Sequence, residues 1–313
     1  MIIVNYGMGT NSTALLVEAT RRGIIVDLIV AADTGDEFKR TYRYCQDFST
    51  WLVAHGQPFI NMTRWNRKDG SFVPISALCL ARKELPSKAY GLSGCTSKWK
   101  QQPIDKLVRA HWATNAAWSR GELVERWIGY DADEPSRSER MLAKNPQPTR
   151  QRGGKIEIVP SWRWRTPLVE WDMGRDECVA AITAAGLPLP GKSACFHCPS
   201  TKKHEIDRMV TEEPEMLARA LAIEDAARAT GELRTVKGLG RNFSWREYLE
   251  GKAPEACDTV EEECGCFDGE AADLPKGYSP EEIAAQIKAA DSLQRCDVHG
   301  AVNCDDCFDG EEA

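Results

Sequence analysis

Short apolar runs alternate with longer segments of helical period through the first part of the chain. Residues 1–4, 25–31, 58–62 and 124–128 are apolar stretches of strand length, and residues 12–22 and 41–55 between them read as helices. This alternation predicts the α/β class: a doubly wound parallel sheet with helices on both faces and ligands at the carboxyl ends of the strands. Further on, residues 174–185 predict another helix, which the run Gly186-Leu187-Pro188-Leu189-Pro190-Gly191 ends. Residues 201–210 and the alanine-rich residues 214–230 predict two more, a helical extension to the sheet.

Composition sets the scale. With 313 residues, 42% of them hydrophobic, the chain can bury one sizeable α/β core plus an appendage. It has no apolar run long enough to cross a bilayer, and it enters a strand at once without a basic leader, so we expect a cytoplasmic protein with no membrane partner. In a reducing compartment its 12 cysteines are metal ligands, cluster ligands or redox nucleophiles rather than disulfides. Cys45 and Cys178 are exceptions, since each falls inside a helical pattern where a thiol packs as a small apolar group.

The net charge of −7 is unevenly divided. From Gly251 onward there are 4 Lys and Arg against 17 Asp and Glu, which leaves 36 against 30 in residues 1–250. We therefore expect two parts, a mildly basic body over residues 1–250 and an acidic, cysteine-rich tail over residues 251–313. A basic body admits nucleotide or nucleic-acid partners.

Chemistry begins at the first turn, Tyr6-Gly7-Met8-Gly9-Thr10-Asn11-Ser12-Thr13, between an apolar run and a helical one. Gly7 and Gly9 allow positive φ and close backbone approach, Ser12 and Thr13 add hydroxyl donors, and the free amides of a helix start complete an anion site. No Gly-Lys-Ser/Thr ending makes it a P-loop, and Thr13 stands where the third glycine of a dinucleotide fingerprint would be. The alternative is a turn that merely joins strand to helix.

The order glycine, variable, glycine, then Asn-Ser-Thr-Ala resembles the PP-loop of the adenine nucleotide alpha-hydrolase superfamily, in its PAPS reductase-like branch. That family carries Asp where this chain has Asn11, a departure that bears on any Mg²⁺ ligand there. The resemblance implies that Asp33-Thr34-Gly35 and the following Thr41-Tyr42 line an adenosine pocket. It implies a nucleotide role for Lys100 in Gly94-Cys95-Thr96-Ser97-Lys98-Trp99-Lys100-Gln101-Gln102-Pro103, and for Gly129, Glu134 and Arg137 at the end of a later strand. Physically, Arg137 can pair bidentately with phosphate or sulfate while Glu134 orients it. The Pro167-Leu168-Val169-Glu170-Trp171 segment and the helix holding Arg175 and Asp176 follow in family order.

In iron-sulfur members of that family, cysteines of the lysine-containing segment and a later Cys-x-x-Cys hold a [4Fe-4S] cluster. Here Cys195 and Cys198 form the later pair, Cys95 stands alone at the earlier place, and Cys79 is the candidate for the fourth ligand. Four thiolates suit Zn²⁺ as well as a cluster, and spacing does not separate them.

In the tail, Glu263-Cys264-Gly265 resembles the motif by which sulfonucleotide reductases present a nucleophile, though Cys266 and Phe267 replace its leucine and histidine. Cys296, His299, Cys304 and Cys307 have zinc-knuckle spacing. Within the body, after Arg137, the residues Arg150, Arg152, Lys155, Trp162, Arg163, Trp164 and Arg165 interleave aromatics with cations, as in single-strand binders or on a solvated strand edge.

Three functions fit these residues. The first is an enzyme of sulfur transfer or sulfonucleotide chemistry, with PAPS or APS as nucleotide, Cys264 as nucleophile and a thioredoxin-like reductant. In the second, ATP activates an acceptor in DNA or RNA and sulfur then displaces AMP. The third is a non-catalytic, metal-organised binding protein.

Overall fold

The computed structural model describes residues 1–145 and 162–251. Five strands, β1 (Ile2–Asn5), β2 (Leu28–Ala32), β3 (Ile60–Thr63), β4 (Val124–Ile128) and β5 (Trp162–Arg165), form one parallel sheet in the order β3-β2-β1-β4-β5. All five residues of β2 are buried, as expected of an inner strand covered on both faces. The predicted class is therefore the observed one.

The helices that cover the sheet are α1 (Thr10–Arg21), α2 (Lys39–Ala54), α3 (Ile75–Arg82), α4 (Gln102–Ala110), α5 (Trp112–Ser119), α6 (Pro135–Leu142), α7 (Pro167–Glu170), α8 (Arg175–Ala184), α9 (Lys203–Glu212), α10 (Pro214–Ala229) and α11 (Trp245–Glu250). One face of the sheet packs Leu15, Leu16, Phe48, Leu52 and Ile182 from α1, α2 and α8. The other packs Ile104, Val108 and Ala117 from α4 and α5. A third apolar cluster joins α3, α9, α10 and α11 around Phe196, Leu221 and Trp245 and forms the helical extension.

Its keystone is the fully buried carboxylate of Glu224 in α10. Glu224 accepts hydrogen bonds from the amides of Leu239 (2.6 Å), Trp245 (2.9 Å) and Arg246 (2.9 Å) and from the Ser244 hydroxyl (2.5 Å). A buried charge held by several donors fixes the turn that carries α11.

Two expectations shift. The second strand starts at Leu28 rather than residue 25, because the Val26 amide donates to the Gln57 side chain and Asp27 accepts from the Ile2 amide. Those side-chain bonds hold residues 24–27 as an irregular connection, in which Ile25 is 57% exposed. The basic-aromatic run at residues 162–165 is β5, the edge strand beside β4.

Arg163 is exposed, and the other three side chains are engaged in packing. The buried Arg126 guanidinium lies between the rings of Trp162 (4.5 Å) and Trp164 (4.4 Å), and Arg165 pairs with Glu125 and Glu170. Trp162, Trp164 and Arg165 are thus engaged within the sheet. Arg150, Arg152 and Lys155 lie outside the described residues, as do Cys264, Cys296, His299, Cys304 and Cys307.

Candidate nucleotide site

Strand order places a crevice at the C-terminal edge of the sheet. β1 is flanked by β2 on one side and β4 on the other, and such a switch of direction leaves a gap where ligands of open α/β sheets bind. Two loops border it, residues 6–13 after β1 and residues 129–134 after β4.

The first loop is the glycine-hydroxyl turn. Contrary to expectation, neither Gly7 nor Gly9 takes positive φ; the left-handed residue is Met8, at φ 59°, whose side chain is buried. The glycines matter for the space they leave. A Cβ on Gly9 would come no nearer than 3.9 Å to another group, that of Ser193, so the floor of the turn is open beneath the first amides of α1. Those amides have no acceptor in a preceding helical turn, and the helix dipole adds positive potential.

The hydroxyls divide. Ser12 Oγ donates to the Gly9 carbonyl (3.0 Å) and closes the turn, while Thr13 Oγ1 lies 3.1 Å from the buried Tyr6 hydroxyl. Thr13 therefore braces the core instead of facing the cradle.

Gly129 explains how the second loop meets the first. A Cβ there would lie 2.8 Å from both Ser12 Cα and Ser12 N and 2.9 Å from the Asn11 carbonyl carbon. Only a hydrogen at this position lets β4 run against the backbone of α1. Just beyond it, Asn11 Nδ2 donates to Asp131 Oδ2 (2.7 Å), and Asn11 Oδ1 accepts from Arg175 Nη1 (2.9 Å). Arg175 also donates to Thr10 Oγ1 (3.1 Å), and its amide donates to Asp133 (2.6 Å).

With its oxygen held by a guanidinium, Asn11 is turned away from any cation. Asp131 is different: it is 2% exposed, and its Oδ1 has no hydrogen-bond partner. Burial, followed by Glu134, raises its pKa above the ordinary carboxylate value. Glu134 pairs with Arg137, whose guanidinium lies 4.5 Å from the Tyr130 ring centroid.

On the β2 side, Asp33 is saturated by Tyr42 OH (2.5 Å), the Gly35 amide (2.8 Å) and Arg64 Nε (2.6 Å). Gly35, at φ 77°, also has no room for a side chain, since a Cβ would lie 2.7 Å from Phe72. Thr34 Oγ1 is 3.2 Å from Cys195 Sγ. Glu37 is buried, pairs with Lys100 at 3.6 Å and accepts from Ser193 Oγ at 3.3 Å.

Burial raises the Glu37 pKa, with Lys100 opposing. Burial acts against the charge of Lys100 as well, but Glu37 and the thiols Cys195 and Cys198 outweigh it and raise that pKa.

One segment gathers these groups. Residues 192–198 bring Ser193 against Gly9 and Cys195 against Thr34, and Glu37 and Cys195 form an antiparallel bridge. Behind it, buried His197 Nε2 is 3.0 Å from Asp36, which also accepts from the Ser76 amide and hydroxyl (2.7 and 2.5 Å). Burial pushes the Asp36 carboxyl up, but His197 and Ser76 outweigh it and hold its pKa low.

The thiols expected to bind a cluster or zinc sit at the edge of the third apolar cluster. Cys79 is buried beside Cys95, and Cys95 Sγ contacts Ser87 Oγ at 3.2 Å. Cys195 and Cys198 flank Lys100 instead. Among the described residues no three His, Cys, Asp or Glu side chains converge as a metal-binding group. Cys45 and Cys178 are buried in α2 and α8, as expected of packing thiols.

Sequence reasoning brought together the turn, Gly129 and the Asp33 loop. It did not single out Thr10, Asp131, Arg175, Glu37 or Ser193 as site residues. Asp131 and Arg175 lay within recognised motifs, and the departure at Asn11 was the signal that could have pointed to their partnership.

No protein-family model matches the chain, and no curated protein matches it in sequence. Among solved structures it is similar to the U34-tRNA thiolase NcsA from Methanococcus maripaludis with its [4Fe-4S] cluster, at 11% identity and a TM-score of 0.34 over 83% of each chain. No helix among the described residues is long and apolar enough to cross a membrane.

Proposed function

We propose that the chain is an ATP-using enzyme of the PP-loop type that transfers sulfur to a nucleic-acid acceptor. The observation that carries this reading is the segment of residues 192–198, which sets Ser193 beside the open floor at Gly9 and the Cys195 thiol beside Thr34 and Glu37. Sulfur and the phosphate cradle share one rim.

In this reading the α1 amides hold the pyrophosphate end of ATP, with Arg175 and Lys100 adding cationic character. The free Oδ1 of Asp131 is the oxygen available to a Mg²⁺ ion that arrives with the nucleotide. An acceptor oxygen attacks the α-phosphorus and pyrophosphate leaves. Hydrosulfide supplied from outside then attacks the activated centre, and AMP departs carrying the acceptor oxygen, so that sulfur replaces oxygen with no change of oxidation state.

Buried Glu37 and the partly exposed Lys100 are the proton-handling pair at that rim. Burial and Glu37 raise the Cys195 pKa and favour its neutral thiol, so the attacking sulfur is the one supplied from outside and not a Cys195 thiolate.

Sulfonucleotide reduction would use the same cradle, but its expected nucleophile, Cys264, lies outside the described residues, and no contact in the crevice favours it. The deciding experiment incubates α-phosphate-labelled ATP with RNA or DNA acceptor and sulfide, and follows AMP and pyrophosphate. Release of both that depends on acceptor, and that Gly9→Val abolishes while the fold is kept, is expected. Sulfite release from PAPS, with no AMP from ATP, would replace this reading with the reductase.

A further inference from the structure

The segment that carries Ser193 and Cys195 to the rim is tied to the sheet by little backbone. Among the described residues it meets the turn after β2 through the isolated antiparallel bridge of Glu37 with Cys195 and the hydrogen bond from the Phe196 amide to the Asp36 carbonyl at 2.9 Å. Pairing so short sets register weakly, and a slip of one residue exchanges which side chains face each way. It would put Ala194 or Phe196 where Cys195 now meets Thr34.

A buried side-chain contact supplies what the backbone lacks. Two residues beyond Cys195, the His197 Nε2 lies 3.0 Å from Asp36 Oδ2, and both side chains are buried. Asp36 is held as a carboxylate, so the imidazole is the donor. The same carboxylate accepts from the amide and hydroxyl of Ser76 in the first turn of α3, which holds it in place from that side. Arg219 of α10 closes the group from outside. Its Nη2 lies 3.4 Å from Ser76 Oγ and 3.9 Å from Asp36 Oδ1, and its guanidinium stands 4.5 Å from the ring centroid of Phe196.

Packing alone does not account for His197. Its Nδ1 is buried with no hydrogen-bond partner among the described residues, a cost in free energy that an aliphatic side chain would not carry. What the imidazole adds is one directional bond, and a directional bond selects one register.

We propose that His197 is a positioning residue: through Asp36 it sets the register of residues 192–198, and so places Ser193 beside Gly9 and Cys195 beside Thr34. Its purpose rests on the sulfur-transfer reading, in which this rim borders the nucleotide crevice, but the register itself does not. Glutamine carries an N–H donor at about the reach of imidazole Nε2, asparagine carries the same amide too short to arrive, and leucine fills the space with no donor.

The test compares full-length wild type with His197→Gln, His197→Asn and His197→Leu. Alkylation by iodoacetamide at pH 8 is followed thiol by thiol through peptide mass spectrometry, and ATP affinity and thermal midpoint are measured beside it. Loss of a hydrogen bond to a carboxylate should raise the Cys195 rate and weaken ATP about tenfold each in His197→Leu and His197→Asn. Cys45 and Cys178 should stay unreactive, and His197→Gln should return both readouts to about the wild-type value.

Asparagine against glutamine decides the matter even where the leucine variant does not fold, because the two differ only in reach. Wild-type Cys195 reactivity in His197→Asn, equal changes in the asparagine and glutamine variants, or a parallel rise at Cys45 and Cys178, the mark of general loosening, would overturn the positioning role. Absence of ATP binding in the wild type would end the sulfur-transfer reading, and the alkylation rates would still decide the register.

Discussion

Asn11 and Asp131 meet across the crevice through a 2.7 Å hydrogen bond from Asn11 Nδ2 to Asp131 Oδ2, tying the helix after β1 to the loop after β4. An acid at position 11 would confront a buried acid. Asn11→Asp is therefore expected to destabilise the fold by about 1–3 kcal/mol at pH 7.

The sign of its pH dependence follows from burial. Asp131 already has a raised folded-state pKa, which favours its neutral form, and a second carboxylate raises it further. The penalty should shrink as pH falls from 7 to 5. Urea midpoints of Asn11→Asp and wild type at both pH values check this, and an equal gap at both would refute the contact.

Gly129→Ala should cost both fold and binding. Its methyl group would meet backbone of α1 at 2.8 Å, where no flexible side chain can give way. A loss of about 2 kcal/mol or more is expected, together with loss of ATP affinity. Gly9→Ala should instead leave thermal stability near wild type and weaken ATP, because its added carbon enters open space. Calorimetry on the pair tests both statements.

Glu224→Ala removes the acceptor for four donors and should cost about 3–5 kcal/mol. Glu224→Gln should be milder, since one oxygen can still accept. The helical extension should lose its near-ultraviolet tryptophan signal, that of Trp245, before the sheet melts. A single two-state transition unchanged in midpoint would show that the carboxylate is dispensable.

Burial pushes the Cys45 thiol up to about 11 and the Cys178 thiol up to about 12, from an ordinary value of 9.0. A raised folded-state pKa means the unfolded chain loses its protons first. Their stability contribution is full below pH 9 and falls from there to about pH 11 for Cys45 and about pH 12 for Cys178. Neither should react with a thiol reagent at pH 8 in the folded protein. Cys45→Ala with Cys178→Ala should flatten the alkaline limb of the stability curve.

Much of the fold was legible because burial writes it plainly. β2 is apolar at every position, and α1, α2, α8, α9 and α10 were read within about two residues of their ends. Short helices such as α6 and α11 left little trace, since packing holds eight or fewer residues where propensity would not.

β5 was ambiguous for a different reason: a tryptophan and an arginine look alike whether they await a ligand or, as at Trp162 and Arg126, already hold each other. Gly129 was legible and meets a close backbone approach that only glycine allows, whereas Gly7 and Gly9 do not take the positive φ expected of them. The roles of Asp131 and Arg175 depend on Asn11, more than a hundred residues away, and no local pattern carries that.

The crevice is assembled from chain segments far apart in order of synthesis. Asn11 waits 120 positions for Asp131, Thr34 waits 161 for Cys195, and Thr10 waits 165 for Arg175. A chain leaving the ribosome therefore shows its glycine turn long before the rim that covers it, and closing such long loops is slow. On the proposed reading, nucleotide affinity would report on completed folding, and a chain released after β4 would carry a glycine turn with nothing to close it.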